Sequence, residues 1–247
     1  MVRAVMFDFY GTLARWDDVE SSSYTSVFAA HGYELPLDVL DAYLVRYDGV
    51  EHAAHSVSEE SYEAWVRSRL CDLTSACRVD PADTDTVIDA LRASDAGRMT
   101  AYPDSASTLC QLRQAGMAIG VCSNWGWDLE AFLRQVGLAE LIDAAVTSAR
   151  AGARKPHPRI YAHSCQALGV DPRDVVFVGD SWDPDVRGPK EAGMSAVHVW
   201  RADERTGQMP PEQAAGDVRI GTLSELLDVL EVRSTGAGVH RAPYGTV

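Results

Sequence analysis

No stretch of this 247-residue chain approaches 18 consecutive apolar residues, and no basic segment followed by a long apolar one opens it, so neither a membrane span nor a secretory leader is expected. Basic side chains are scarce. Twenty-two Lys and Arg against 36 Asp and Glu leave a net charge of -14, which repels a phosphate backbone over most of the surface. Nucleic acid and anionic membranes are therefore not expected partners, although a small anion can still bind locally. Cysteine is sparse as well. Cys71, Cys77, Cys110, Cys122 and Cys165 are odd in number and form neither a CxxC pair nor the tight spacing of a zinc site, which points to a reducing cytoplasm rather than a disulfide framework. What the chain does not lack is apolar material. With 46% hydrophobic and 23% charged residues it is expected to fold, as one large domain or as a core with a smaller companion.

Three short apolar, largely β-branched runs, residues 2–7, 117–122 and 175–178, are too short for helices and lack strict alternation, the pattern of strands buried on both faces. Residues 143–147, 195–200 and 218–220 read as further strands. Amphipathic stretches at 129–136 and 160–168 lie among them. This alternation predicts an α/β fold with a doubly wound, mostly parallel, Rossmann-like sheet. Near the end, TLSELLDVLEV is expected to be a helix capped by Thr222, with Glu225 completing a capping box. The interval 17–96 differs: its periodicity is helical throughout and no strand stands out, so it reads as an all-helical insert. Residues 1–16 and 97–232 would form the α/β core, and the Gly-rich, aperiodic 233–247 a flexible tail.

The chemistry is expected where the strands end. Asp8 follows the first strand, Ser123 and Asn124 close another and Asp180 follows a third, while Lys155 follows a fourth. In an open parallel sheet the crevice beyond the carboxyl ends of the strands collects ligands, so these residues would converge there from distant parts of the chain.

Four segments, DFYGT at 8–12, SN at 123–124, KP at 155–156 and GDSWDPD at 179–185, resemble in order the motifs of the haloacid dehalogenase superfamily, in the subgroup with a helical cap inserted after the first strand. The resemblance covers about residues 1–14 and 100–200; none is visible in the insert. It implies a hydrolase with Asp8 as nucleophile, forming an aspartyl intermediate. Mg²⁺ would offset the repulsion between that anion and a phosphoryl group, held by Asp8, Asp180, Asp185 and the backbone carbonyl of Tyr10. Asp185 alternatively orients metal-bound water or Lys155 from behind. Lys155 would supply a second cation, and Ser123, Asn124, Gly11 and Thr12 would bind the substrate's oxygens. The substrate would be a small phosphorylated metabolite. No oligomeric state is implied.

One residue departs from that pattern. Phosphatases of the superfamily carry a second aspartate two residues after the nucleophile, as acid and base; here Tyr10 stands there. DxYGT resembles instead the metal-independent 2-haloacid dehalogenases, whose aspartate displaces halide from carbon. Against them stands the acidic GDSWDPD, which would repel a carboxylate substrate unless a cation neutralised it. A phosphoacceptor signalling module and an inactive scaffold are more distant rivals. Other candidates stay open: Arg154 as an added cation or a surface residue; Trp125, Trp127 and Trp182 as pocket walls or packing; Asp183 as a ligand or an exposed loop carboxylate; and Arg46, His52 and His55 as groups facing substrate or solvent. Cys110 and Cys165 carry no assigned role.

Overall fold

The computed structural model describes residues 2–17, 24–45, 50–94, 98–205 and 207–231; Arg46 and the expected tail lie outside them. Six strands, β1 (Ala4–Phe7), β4 (Ala118–Ser123), β5 (Ala144–Thr147), β6 (Val175–Gly179), β7 (Ser195–Val199) and β8 (Val218–Ile220), form one parallel sheet in the order β5-β4-β1-β6-β7-β8. All six were expected. The unbroken apolar character of the central β1 and β6 follows from burial on both sides: Val5 and Phe7 join the apolar cluster on one face, Ala4 and Met6 the one on the other. Helices α5 (Ser105–Gln114), α6 (Leu129–Gln135) and α10 (Glu225–Val229) supply Leu109, Leu112, Leu129, Leu133 and Leu226 to the first face. Helix α8 (Pro158–Leu168) supplies Ile160, Tyr161 and Cys165 to the second, next to the short α7 (Ser148–Ala151) and α9 (Gly188–Glu191).

The described residues between β1 and the rest of the sheet carry the helices α1 (Tyr24–Ala30), α2 (Leu37–Val45), α3 (Glu59–Ala76) and α4 (Thr84–Ser94) of the insert. Phe28, Leu70, Leu73, Val87, Ile88 and Leu91 gather in an apolar cluster that shares no residue with the two sheet clusters. Two strands were missed. β2 (Ala14–Trp16) and β3 (Met99–Ala101) pair antiparallel, Ala14 with Ala101 and Trp16 with Met99, and bracket the insert at its entry and exit. Three residues each are too few to show a period.

The C-terminal cap also differs from expectation. Ser224, not Thr222, precedes α10, and Glu225 Oε1 accepts from the amides of Gly221 and Thr222 and from the Thr222 hydroxyl. The glutamate's half of a capping box is thus present, but the threonine hydroxyl donates where it was expected to accept.

Candidate active site

Asp8, Ser123, Lys155, Asp180 and Asp185 meet at the carboxyl ends of β1, β4 and β6, where the strand order changes direction on either side of β1. The loop after β1 turns back at once: Leu13 and Ala14 amides donate to the Phe9 carbonyl, and Phe9 is fully buried, edge-on to Trp125. Gly11 makes that turn possible with φ of +80°. A Cβ there would lie 2.7 Å from Asp180 Oδ2, so the residue must be Gly for the loop to lean on the acidic loop after β6. The latter continues into a wide π-type turn, Trp182–Arg187, which aims Asp185 back under Gly179. The Ser181 amide donates to Asp185 Oδ2 at 3.0 Å and fixes it there.

Lys155 is the hub. Its side chain is 2% exposed, and Nζ donates to Asp8 Oδ1 at 2.7 Å and to Asp185 Oδ1 at 2.6 Å. Ser123 Oγ donates to the same Asp8 oxygen at 3.0 Å. Both hydrogen bonds therefore fall on Oδ1, and no described side chain donates to Oδ2. Asn124, expected to touch substrate, instead clasps the lysine's backbone: Oδ1 accepts the Lys155 amide at 2.7 Å and Nδ2 donates to its carbonyl at 3.1 Å.

The charges do not balance on Lys155 alone. Asp8, Asp180 and Asp185 each offer a carboxylate oxygen, all within 4.8 Å of one another. Burial, reinforced by the Asp8 carboxylate, pushes Asp180 up to about 6. Burial pushes Asp185 up too, against the opposing pull of Lys155. Burial also acts against a charged Lys155, but Asp185 and Asp8 outweigh it and raise the ammonium above the usual lysine range. Three hard oxygen donors converging beside a loop that only Gly can bring so close are a suitable set for a hard divalent cation.

Tyr10 lies at the mouth, 41% exposed, with its phenol raised above the ordinary tyrosine value by burial and by Asp180 and Glu204. Thr12 is fully buried; its carbonyl accepts from Arg201, and its hydroxyl has no partner among the described residues. Asp183 lies outside the cluster and faces Arg187 at 3.4 Å. Trp125 packs between Phe9, Trp16 and Phe132, and Trp182 stands edge-on to His198. These two are packing residues, whereas Trp127 meets Tyr62 of the insert at 6.1 Å between ring centroids.

A seam joins insert and core next to Lys155. The His52 amide donates to the Gly152 carbonyl, the Arg154 amide donates to the Val50 carbonyl, and Glu51 pairs with Arg159 at 3.0 Å. His52 is buried rather than solvated, stacked on Trp65 at 4.6 Å, and burial together with Arg154 depresses its imidazole to about 4. His55 also stacks on Trp65, 5.4 Å between ring centroids.

Two groups escaped the sequence reading. Arg205, from the loop between β7 and β8, forms an ion pair with Asp180. His198, fully buried on β7, accepts from Arg219 Nε at 2.9 Å on Nδ1 and so donates through Nε2 to the Asp180 carbonyl at 3.0 Å. Neither belongs to a motif; only a polar residue inside the apolar run 195–199 hinted at His198.

Known proteins share this arrangement to different extents. An (S)-2-haloacid dehalogenase from Xanthobacter autotrophicus is 30% identical over 240 residues, 92% of this chain and 83% of that protein. The crystal structure of the L-2-haloacid dehalogenase from the same organism superposes with a TM-score of 0.64 at 25% identity, covering 94% of this chain and 99% of that one. A glyceraldehyde 3-phosphate phosphatase from Methanopyrus kandleri is 33% identical over 133 residues, 52% of this chain, and the chain spans only 56% of that protein's length. Phosphatase and dehalogenase names thus occur side by side among the relatives. The family model of the haloacid dehalogenase-like hydrolases matches residues 2–193, from the strand that precedes Asp8 to the helix after Asp185, and the chain belongs to that family.

Proposed function

We propose that this hydrolase is a Mg²⁺-dependent phosphatase acting on a small phosphorylated metabolite, with Asp8 as the nucleophile. The observation that carries the reading is the convergence of three carboxylates, Asp8, Asp180 and Asp185, on only two cations among the described residues, Lys155 and Arg205. Such a set is poorly suited to an anionic substrate until a divalent cation joins it. When bound by Asp8, Asp180, Asp185 and the Tyr10 carbonyl, that cation would offset the charge of the phosphoryl group.

The chain's own groups define the rest. Ser123 and Lys155 hold Asp8 Oδ1, so that Oδ2 faces phosphorus; its bond to phosphorus forms as the ester oxygen leaves, giving an aspartyl phosphate. Tyr10, kept protonated by its raised pKa, donates a proton to the departing oxygen. Because a phenol is already protonated near neutrality, it is a poor base for the water that then cleaves the acyl phosphate. The second step is therefore the slow one, and Tyr10→Asp is expected to speed it while Tyr10→Phe retards poor leaving groups most. The four-helix insert serves as a cap, closing over the crevice from its seam beside Lys155 and setting substrate choice. All five cysteines are free, in keeping with a reducing cytoplasm.

The second reading is metal-independent 2-haloacid dehalogenation. Tyr10 favours it, as does identity to a haloacid dehalogenase over 92% of the chain. A hydrolysis screen of phosphorylated metabolites and 2-haloacids, each with Mg²⁺ and with chelator, separates the two. Phosphate release abolished by chelator is expected. Halide release that persists in chelator and outpaces every phosphoester would replace the phosphatase by the dehalogenase.

A further inference from the structure

Asp180 faces a cation that no motif announces. Arg205 Nη2 pairs with Asp180 Oδ2 and lies 3.3 Å from the same residue's carbonyl oxygen. Its neighbours pin the loop that delivers it. Arg201 forms a two-pronged pair with Asp104 at 3.0 and 3.1 Å, and Glu204 bonds Arg15 at 2.6 Å and the Tyr102 hydroxyl. Arg205 itself stacks over Trp200, 4.6 Å from the ring centroid.

The two cations of the site are held in different ways. Lys155 is locked between two carboxylates with 2% of its side chain exposed, whereas Arg205 comes from a surface loop, is 27% exposed and has Asp180 as its one carboxylate partner among the pairs described. A cavity of about 820 Å³, lined by Tyr10, Trp16, Tyr102, Asp180, Arg205 and Gln208, adjoins the pair. The guanidinium thus has room to leave without the loop unfolding. A divalent cation on Asp180 would lie within a few ångströms of that guanidinium, and like charges at that separation in a half-buried site repel strongly.

We propose that Arg205 is a tethered counter-ion of Asp180 that a divalent cation must displace, its side chain moving off the carboxylate into the adjoining cavity as the metal binds. Arg205 is a positioning residue: it holds Asp180 in place and offsets its charge in the metal-free protein. Metal affinity is thereby lowered, and metal loading becomes coupled to the loop between β7 and β8. The inference rests on the metal-dependent reading above.

The test is calorimetric titration of the full chain with MgCl₂, together with backbone hydrogen exchange of residues 200–209, for the parent, Arg205→Gln and Arg205→Lys. Arg205→Gln is expected to bind Mg²⁺ about 3- to 10-fold more tightly, as removal of a partly exposed ion pair allows, and Arg205→Lys, which keeps the charge, to stay within about 2-fold of the parent. Mg²⁺ is expected to speed exchange in the loop of the parent but not of Arg205→Gln, whose loop already exchanges fast without metal. Unchanged or weaker Mg²⁺ binding in Arg205→Gln overturns the counter-ion role while leaving the metal reading intact. Equal tightening in both variants overturns it as well, because charge would then not be the cause. Absence of Mg²⁺ binding in all three proteins overturns the metal reading and this inference together.

Discussion

The parallel sheet and the helical insert bury apolar surface by the same means but arrange polar groups differently. In the sheet, ionisable side chains far apart in sequence, Asp8, Lys155 and Asp185, are more than nine-tenths buried and bonded to one another. In the insert the ionisable pairs described, such as Arg67 with Asp85 and Arg92 with Glu63, are substantially exposed, and α2 leaves Leu37 71% and Leu44 52% exposed. A rigid sheet can hold unfavourable charge in place because each member is fixed by its strand and by backbone donors. The smaller insert, with one apolar cluster of its own, has no such frame, and it meets the core near Lys155 at the short seam of residues 50–53 and 152–154.

The largest expected effect breaks the comparison at its centre. Asp8→Asn removes the proposed nucleophile and should lower turnover at least about 1,000-fold on any substrate found in the screen, with folding preserved by circular dichroism. Substantial residual turnover would move the chemistry away from the sheet. Next, Lys155→Ala leaves Asp8 and Asp185 buried without their shared cation, and chemical denaturation should report a loss of about 3–5 kcal/mol, whereas Arg67→Ala, in an exposed pair of the insert, should cost under about 1 kcal/mol. Similar costs for the two would erase the distinction drawn above.

A smaller effect follows from Asp180, whose folded-state value of about 6 lies above the 3.8 of an unperturbed aspartate. The folded protein holds that proton more tightly than the unfolded chain, so this contribution to stability is present below about pH 4 and lost as pH rises to about 6. Without metal, the parent should therefore lose about 2 kcal/mol relative to Asp180→Asn across that window, and Mg²⁺ should restore it only to the parent. A pH-independent difference in melting midpoint between the two proteins would contradict the charge accounting. The smallest effect concerns the seam. Gly152 has φ of +72°, and a Cβ there would lie 2.8 Å from the Ala53 Cα. Gly152→Ala should cost about 1–3 kcal/mol and raise KM more than it lowers kcat, since it loosens the insert without touching Asp8. An equal loss in kcat would mean that the seam positions Lys155 itself.

Most of the sheet could be read from the chain because a strand covered on both faces carries almost no polar side chains, as in 4–7, 117–122 and 175–178. The converging Asp8, Ser123, Lys155 and Asp180 were legible for a related reason: a polar residue immediately after such a run falls at the strand's carboxyl end. The part of Asn124 was not legible, because whether an amide binds a ligand or a neighbouring backbone depends on a loop 31 residues away. Arg205 was hidden more completely, as an arginine in a polar loop is indistinguishable from a solvated one until the fold brings it against Asp180.

The paired strands β2 and β3 hold Trp16 opposite Met99, so the core meets everything between them as a closed loop with its two ends already joined. Closing a loop costs conformational entropy that grows only with the logarithm of its length, about 0.6 kcal/mol for each doubling. Once the stalk zips, the core is nearly indifferent to how many residues lie beyond it. An insert there can lengthen, shorten or be exchanged for another while the strands that carry Asp8 and Ser123 keep their register, so the architecture lets the insert be revised without rebuilding the sheet.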